Sequence, residues 1–408
     1  MQVVGIGVDG WAGLGSPARD ALTSADVVFG SSRQLALLPA SVAAERVEWP
    51  MPLLPTLLST LESRTGRRAV LASGDPTFFG IATTLARLLP DEPLDVVPHV
   101  SSLSLACARL AWAQQDVAVV SAVGRPVALL HPHVHPGRRV LVLAAGAATP
   151  AEVARLLRER GFGPSVLTVL SDLGAPSEQR VVATADEWPD DGWPGSARPE
   201  PLTVVGVSCV PGPAALRLPL TPGLPDDAYE HDGQLTKRHV RAVTVSALGP
   251  APGELLWDVG GGAGSIGIEW MRAHPSCRAV AVERDEVRAK RIGRNAVSLG
   301  VPGLAVVVGE APAALAGLEA PDAVFIGGGA TAPGLVSACW DALRPGGRLV
   351  ANVTTLESER AVLDAYEQYG GELTRVEIAR TTSVGRYTGW RAAMPITQWV
   401  THKPGDRR

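Results

Sequence analysis

Asp258-Val259-Gly260-Gly261-Gly262-Ala263-Gly264 is the stretch that decides how this chain folds. An apolar run, Leu255-Leu256-Trp257, precedes it, and a segment with Ile266, Ile268, Trp270 and Met271 at helical spacing follows. That order is strand, glycine turn, helix. Glycine lacks the Cβ that would hold a ligand off the backbone, and the first turn of a helix offers N–H groups with no partner inside the helix. Nineteen positions after Gly264, the next apolar run ends on Glu283, a carboxylate placed to accept both hydroxyls of a ribose. The segment predicts an α/β unit with a mostly parallel, Rossmann-like sheet and an adenosine-type cofactor at Gly260, Gly262 and Gly264.

Two such cofactors compete. Gly262-Ala263-Gly264-Ser265-Ile266-Gly267 satisfies the G-x-G-x-x-G dinucleotide pattern, a weak signal alone. Asp258-x-Gly260-x-Gly262-x-Gly264 resembles the D-x-G-x-G-x-G opening of class I S-adenosylmethionine (SAM) methyltransferases. Asp258 at a strand end can serve the ammonium of a methionine moiety, whereas a pyrophosphate gains nothing from that charge. Downstream, Gly309-Glu310-Ala311-Pro312 follows a third apolar run and brings Glu310 near an adenine. Residues 321–329 read as a fourth strand ending in glycines, open to a methyl acceptor. Residues 343–350 read as a helix end, a tight turn and a fifth strand. The series favours SAM, with a nicotinamide cofactor, and so an NAD(P)-dependent reductase, as the alternative.

At 408 residues the chain predicts two or three domains, and a hydrophobic content of 46% provides an ample core. The net charge of −4 gives no basic field, which argues against a nucleic-acid partner. Cys107, Cys209, Cys277 and Cys339 are far apart and form no C-x-x-C, so neither zinc nor a disulfide framework is expected. With no signal-type amino terminus and no apolar run of membrane-spanning length, a reducing cytoplasmic location and no membrane partner are expected. His131-Pro132-His133-Val134-His135 has the composition of a metal tract, but a solvated proline-rich loop is the expectation, and no metal is assigned.

The first half alternates strands and helices. Strands are predicted over residues 3–7, 26–30, 69–72, 94–97, 118–121, 139–144, 165–170 and 202–207, and helices over 16–25, 101–113 and 150–160. Residues 186–201 read as an exposed loop. Residues 211–227 contain five prolines and two glycines with little periodicity. The predicted division is therefore 1–210, a linker 211–232, and 233–408.

The first half resembles the tetrapyrrole methylases. Val4-Gly5-Ile6-Gly7-Val8-Asp9-Gly10 is similar to their opening strand and loop, and Ser73-Gly74-Asp75-Pro76-Thr77-Phe78-Phe79-Gly80 to their G-D-P-x-x-[FY]-G loop. Pro98-His99-Val100-Ser101-Ser102 is similar to their P-G-x-S-[ST] segment, with His99 in place of glycine, and residues 173–180 resemble a later loop. The resemblance implies a two-lobed fold with SAM in the cleft. In physical terms Gly74 permits close approach, Asp75 accepts a hydrogen bond or orients the loop, and Pro76 stiffens it. Ser101 and Ser102 offer hydroxyls and a helix amino end to a carboxylate.

The second half resembles the precorrin methyltransferases that act at carbon 15 and decarboxylate the carbon-12 acetate. Leu235-Thr236-Lys237-Arg238, the glycine turn and Asn352-Val353-Thr354-Thr355-Leu356-Glu357-Ser358 carry that likeness; His239 departs from it. The pair implies a family that methylates a precorrin at carbons 5 and 15 in cobalamin biosynthesis, with two SAM sites, a tetrapyrrole partner and a homo-oligomeric assembly. Asn352, Thr354, Glu357 and Lys237 are the implied catalytic residues, Glu357 as an acid, a base or simply a helix cap. Arg238, Arg241, Arg386, Tyr387 and Trp390 are suited to a flat ring with acidic arms. A methyltransferase with one silent half is a further alternative, and an RNA methyltransferase is disfavoured by charge.

Overall fold

The computed structural model describes residues 1–195 and 202–405. The chain divides into two units, residues 1–127 with 136–215, and 128–135 with 216–408.

In the first unit, β1 (Gln2–Ile6), β2 (Val27–Gly30), β3 (Glu45–Glu48), β4 (Arg68–Ser73) and β5 (Asp95–Val97) form a parallel sheet in the order β3-β2-β4-β1-β5. The buried interiors of its central strands are apolar, with Val3 and Val4 in β1, Val27 to Phe29 in β2 and Ala69 to Ala72 in β4, as a sheet covered on both faces requires. β3 is the edge strand and reads Glu-Arg-Val-Glu, which explains why no apolar run announced it. A second sheet follows, from β6 (Val117–Ser121), β7 (Arg139–Leu143), β8 (Val166–Ser171), β9 (Gln179–Thr184) and β10 (Thr203–Ser208), ordered β6-β7-β10-β8-β9. β10 runs antiparallel to both of its neighbours. The predicted strands fall within a residue or two of these, apart from β3 and β9. The loop expected over 186–201 is described only to residue 195.

In the second unit, β11 (Leu255–Val259), β12 (Arg278–Glu283), β13 (Ala305–Val308), β14 (Ala323–Ile326), β15 (Arg348–Val353), β16 (Glu372–Val376) and β19 (Ile396–His402) form a seven-stranded sheet ordered β13-β12-β11-β14-β15-β19-β16. Strands β11 to β15 are parallel, and β19 pairs antiparallel with β15 and β16. The order reverses between β11 and β14, so a crevice opens at the carboxyl ends of those strands, where α/β sheets take ligands. Two further strands, β17 (Ala379–Val384) and β18 (Tyr387–Ala392), make a separate exposed hairpin between β16 and β19.

Two expectations are corrected. Residues 216–232 are not a free linker. Leu218, Leu224 and Tyr229 are buried in the core of the second unit with Ile266, Ile268 and Trp270. The histidine tract is not a solvated loop: its 3₁₀ segment Val127–His133 places Leu130 at 0% exposure and His131 at 7%. A side chain on Gly300 would run into Pro132, so the tract packs within the second unit.

Candidate active sites

The glycine turn forms as expected. Gly260, Gly262 and Gly264 have φ of 77°, 59° and 77°, in the left-handed region that glycine enters without strain. A Cβ on Gly260 would lie 3.1 Å from the Gly328 nitrogen, and one on Gly262 would lie 3.0 Å from the Gln234 carbonyl. The turn is thus one wall of a cavity of about 300 Å³. Gln234, Thr236, Lys237, Asn352 and Thr354 line the rest, so three of the four expected catalytic residues come together with Gly260 and Gly262. A glycine cradle of this size suits part of an adenosine cofactor.

The acidic residues are less available than the sequence implied. Asp258 is 1% exposed, and one of its oxygens accepts the Gly267 N–H at 2.9 Å. Burial pushes its carboxyl up to about 7; the Gly267 N–H opposes that rise, and the nearby charge of Glu283 adds to it. Glu283 is 5% exposed and accepts from Gly262 N–H at 2.9 Å and Asp285 N–H at 3.0 Å. These carboxylates hold the turn and the helix Ser265–Ala273 against the sheet, and they take up N–H groups that the sequence offered to a ligand. Glu310 is well exposed, 3.9 Å from Arg284, and does not line the cavity.

Asn352 is held by residues that sequence reasoning missed. Its Nδ2 donates to Thr244 Oγ1 at 2.7 Å, and its Oδ1 accepts from Gln398 Nε2 at 3.0 Å. Thr244 lies on the helix Arg238–Leu248 and Gln398 on β19, more than 40 residues away on either side, so no local motif connects the three. Glu357 lies outside the cavity. Hydrogen bonds from its own N–H and from Thr355 hold its carboxyl below the usual range, as befits the start of the helix Leu356–Tyr369.

Arg241 is a correction. It is fully buried, and its Nε donates to Glu269 at 2.5 Å and its Nη1 to Asp226 at 3.2 Å. It also donates to the carbonyls of Thr236 and Leu224. Its donors are spent on the protein, so it does not hold substrate. Arg238 commits its Nε to the Gly223 carbonyl at 2.8 Å. Arg386, Tyr387 and Trp390 lie on the β17–β18 hairpin, with Tyr387 and Trp390 67% and 77% exposed; none lines the cavity.

In the first unit, Gly7, Gly74, Ser102, Ser121 and Thr203 line a cavity of about 320 Å³ between its two sheets. Gly74 has φ of 62°, and a Cβ there would sit 3.3 Å from the Val100 carbonyl. Asp75 orients the loop, its Oδ1 accepting from Thr77 N–H at 2.8 Å and Oγ1 at 2.7 Å. Ser101 is the N-cap of the helix Ser102–Leu110, its Oγ accepting from Ser104 N–H at 3.2 Å. Asp75, Pro76 and Ser101 stand behind the cavity wall rather than in it.

Residues 2–189 match the family model of the tetrapyrrole (corrin/porphyrin) methylases, and residues 227–403 match that of a precorrin methyltransferase domain. A precorrin-6Y C(5,15)-methyltransferase [decarboxylating] from Sinorhizobium sp is 48% identical over 98% of this chain and 95% of its own length. The chain belongs to the precorrin-6Y C5,15-methyltransferase (decarboxylating) family. A member from Mycobacterium tuberculosis is 45% identical over 98% of this chain and 99% of its own. Among solved structures, the C-terminal domain of the Rhodobacter capsulatus precorrin-6Y C5,15-methyltransferase is 44% identical, covering 46% of this chain and all of that one at a TM-score of 0.44. The glycine cavity of each unit falls on the stretch that carries the likeness to this family.

Proposed function

We infer that the chain is a precorrin-6Y C5,15-methyltransferase (decarboxylating): it methylates a precorrin at carbons 5 and 15 and removes the carbon-12 acetate carboxyl in cobalamin biosynthesis. The observation that carries this is the kinship over 98% of the chain with proteins of that name, both family models included. The relatives lend the reductase alternative no support.

The reading has one SAM site in each unit. Both cavities include glycine backbone against which a cofactor can lie closely, Gly7 and Gly74 in the first unit and Gly260, Gly261 and Gly262 in the second. When bound, SAM supplies an electrophilic methyl group. The protein's task is alignment, because reduced tetrapyrroles have enamine-like carbons nucleophilic enough to attack directly. Asn352, fixed by Thr244 and Gln398, and Thr354 present polar groups to the acceptor in the second unit; Lys237 offers its ammonium to a substrate carboxylate. In the decarboxylation the bond from the acetate carbon to its carboxyl breaks, carbon dioxide leaves, and the electron pair passes to a protonated ring position. The macrocycle is its own electron sink, and a proton then takes the place of the carboxyl.

Arg386, Tyr387 and Trp390 are read as contacts for acidic arms and a ring face. A cytoplasmic location fits four cysteines that are all buried, and among the described residues no helix is long and apolar enough to cross a membrane. A homo-oligomer is the expected assembly. Product mass tests the function: incubation with a precorrin and methyl-labelled SAM is expected to add two labelled methyl groups and release one carbon dioxide. A single methyl, or no carbon dioxide, refutes the full assignment and identifies a silent half.

A further inference from the structure

The first unit contains a second cavity, of about 470 Å³, lined by Ser31, Glu48, Trp49 and Met51. It shares Ser73, Phe78 and Phe79 with the glycine-lined cavity, so these three residues form a wall between the two. The wall is built with some strain. Phe79 has φ of 51°, a conformation uncommon for a residue with a side chain. Its ring meets Phe78 edge-on at 5.0 Å, and the Arg125 guanidinium lies 5.5 Å from its centroid.

Arg33 stands at the junction. It lies on the short helix Ser32–Ala36; its neighbours Ser32 and Gln34 line the second cavity, and its own side chain lines the first. Its Nη2 donates to Ser73 Oγ at 2.9 Å, and Gln34 Nε2 donates to the same oxygen at 3.1 Å. Ser73 therefore keeps a partner without Arg33. Among the described residues no carboxylate lies within 4.0 Å of the Arg33 guanidinium. Desolvation lowers its pKa, and Asp172 raises it only from a distance. A guanidinium drawn out of water with no carboxylate in contact retains most of its five donors for an anion.

We propose that Arg33 anchors a carboxylate arm of the methyl acceptor in the first unit, with the cofactor in the glycine-lined cavity and the ring on the Trp49–Met51 side of the Ser73–Phe79 wall. Met51, 85% exposed, gives a flat apolar ring a surface to lie on, backed by the buried Trp49, which lines the cavity and stacks on Phe29 at 5.3 Å. Glu48 lines the same cavity and repels an acidic arm, which leaves Arg33 as the place where that arm is welcome. This rests on the reading that the first unit methylates a tetrapyrrole.

The test uses the full chain, with steady-state carbon-5 methylation followed by product mass. Arg33→Ala is expected to raise the KM for the precorrin about 10- to 100-fold, the effect of losing one charged hydrogen-bonded contact. SAM affinity by calorimetry is expected to stay within about twofold, and Arg33→Lys to recover part of the loss, because it keeps the charge but not the fork. An unchanged precorrin KM overturns the proposal. So does a weakened SAM affinity, which would assign Arg33 to the cofactor. Wild-type protein that adds no methyl at carbon 5 would instead overturn the reading on which the proposal rests.

Discussion

Glu269 gathers four donors inside the second unit. It is 2% exposed, yet its carboxylate accepts from Gly223 N–H at 2.6 Å, Leu224 N–H at 2.9 Å, Tyr229 Oη at 2.9 Å and Arg241 Nε at 2.5 Å. Glu269→Ala leaves Arg241 buried with only the partly exposed Asp226 as counter-charge. Breaking a buried ion pair from one side costs about 3–5 kcal/mol. Each orphaned donor adds about 1–3 kcal/mol, but donors that share one acceptor do not add independently. An expected loss of about 5 kcal/mol is a large part of the stability of an ordinary domain. Urea unfolding of the full chain, followed by tryptophan fluorescence, is expected to show one transition displaced to much lower denaturant. Glu269→Gln, which keeps the shape and loses the charge, is expected to fall between. If Glu269→Ala shifts no transition by more than about 1 kcal/mol and instead raises the KM for the precorrin, then Arg241 serves substrate after all and its structural assignment is wrong.

Asp258 makes stability depend on pH. Its carboxyl is raised from 3.8 to about 7, so its contribution is complete below the unfolded value and is lost as pH rises through about 7. The loss is about 4 kcal/mol for a shift of that size. Asp258→Asn is expected to flatten the second unit's stability between about pH 4 and 7, the interval between the unfolded and folded values, and curves that stay parallel to wild type there would contradict this. Gly264→Ala puts a Cβ 2.7 Å from Ile292 Cγ2 at a φ of 77°, so about 2–4 kcal/mol of strain and overpacking is expected. On the reading of one SAM site per unit, calorimetry is then expected to show one of two SAM sites lost. Asn352→Ala is expected to slow carbon-15 methylation about 10- to 100-fold with SAM affinity retained, measured by single-turnover product mass. Loss of SAM affinity would place Asn352 at the cofactor instead.

Much of the second unit was legible because Leu255-Leu256-Trp257 and the glycines each carry a strong local signal. All five residues of β11 are buried, and the turn adopts the φ values that only glycine takes cheaply. The Pro-rich segment misled for the opposite reason. Leu218, Leu224 and Tyr229 are spaced irregularly; the Arg241–Glu269 cluster ties down Leu224 and Tyr229, and Arg272 Nη2 donates to the Leu218 carbonyl at 3.0 Å, all from residues scattered along the chain. In sequence, Lys237-Arg238-His239-Val240-Arg241 looks like one cationic surface, but the helix turns Lys237 toward the cavity and Arg241 into the core. The β17–β18 hairpin was missed because it is largely exposed on both faces and so shows no alternation. β9 was hidden by the polar start of Gln179-Arg180. The Thr244–Asn352–Gln398 set had no signal to find, since three polar residues far apart in sequence acquire meaning only once β15 and β19 pair.

The packing of residues 128–135 in the second unit has a consequence in time. On the ribosome these residues emerge about 165 positions before Gly300, against which Pro132 will pack. At ordinary elongation rates that is a wait of roughly 10–30 s. Throughout it Leu130 and Val134, which end at 0% exposure, have no second unit to join. The newborn chain carries an apolar splice through its early synthesis, and chaperones have that interval in which to find it.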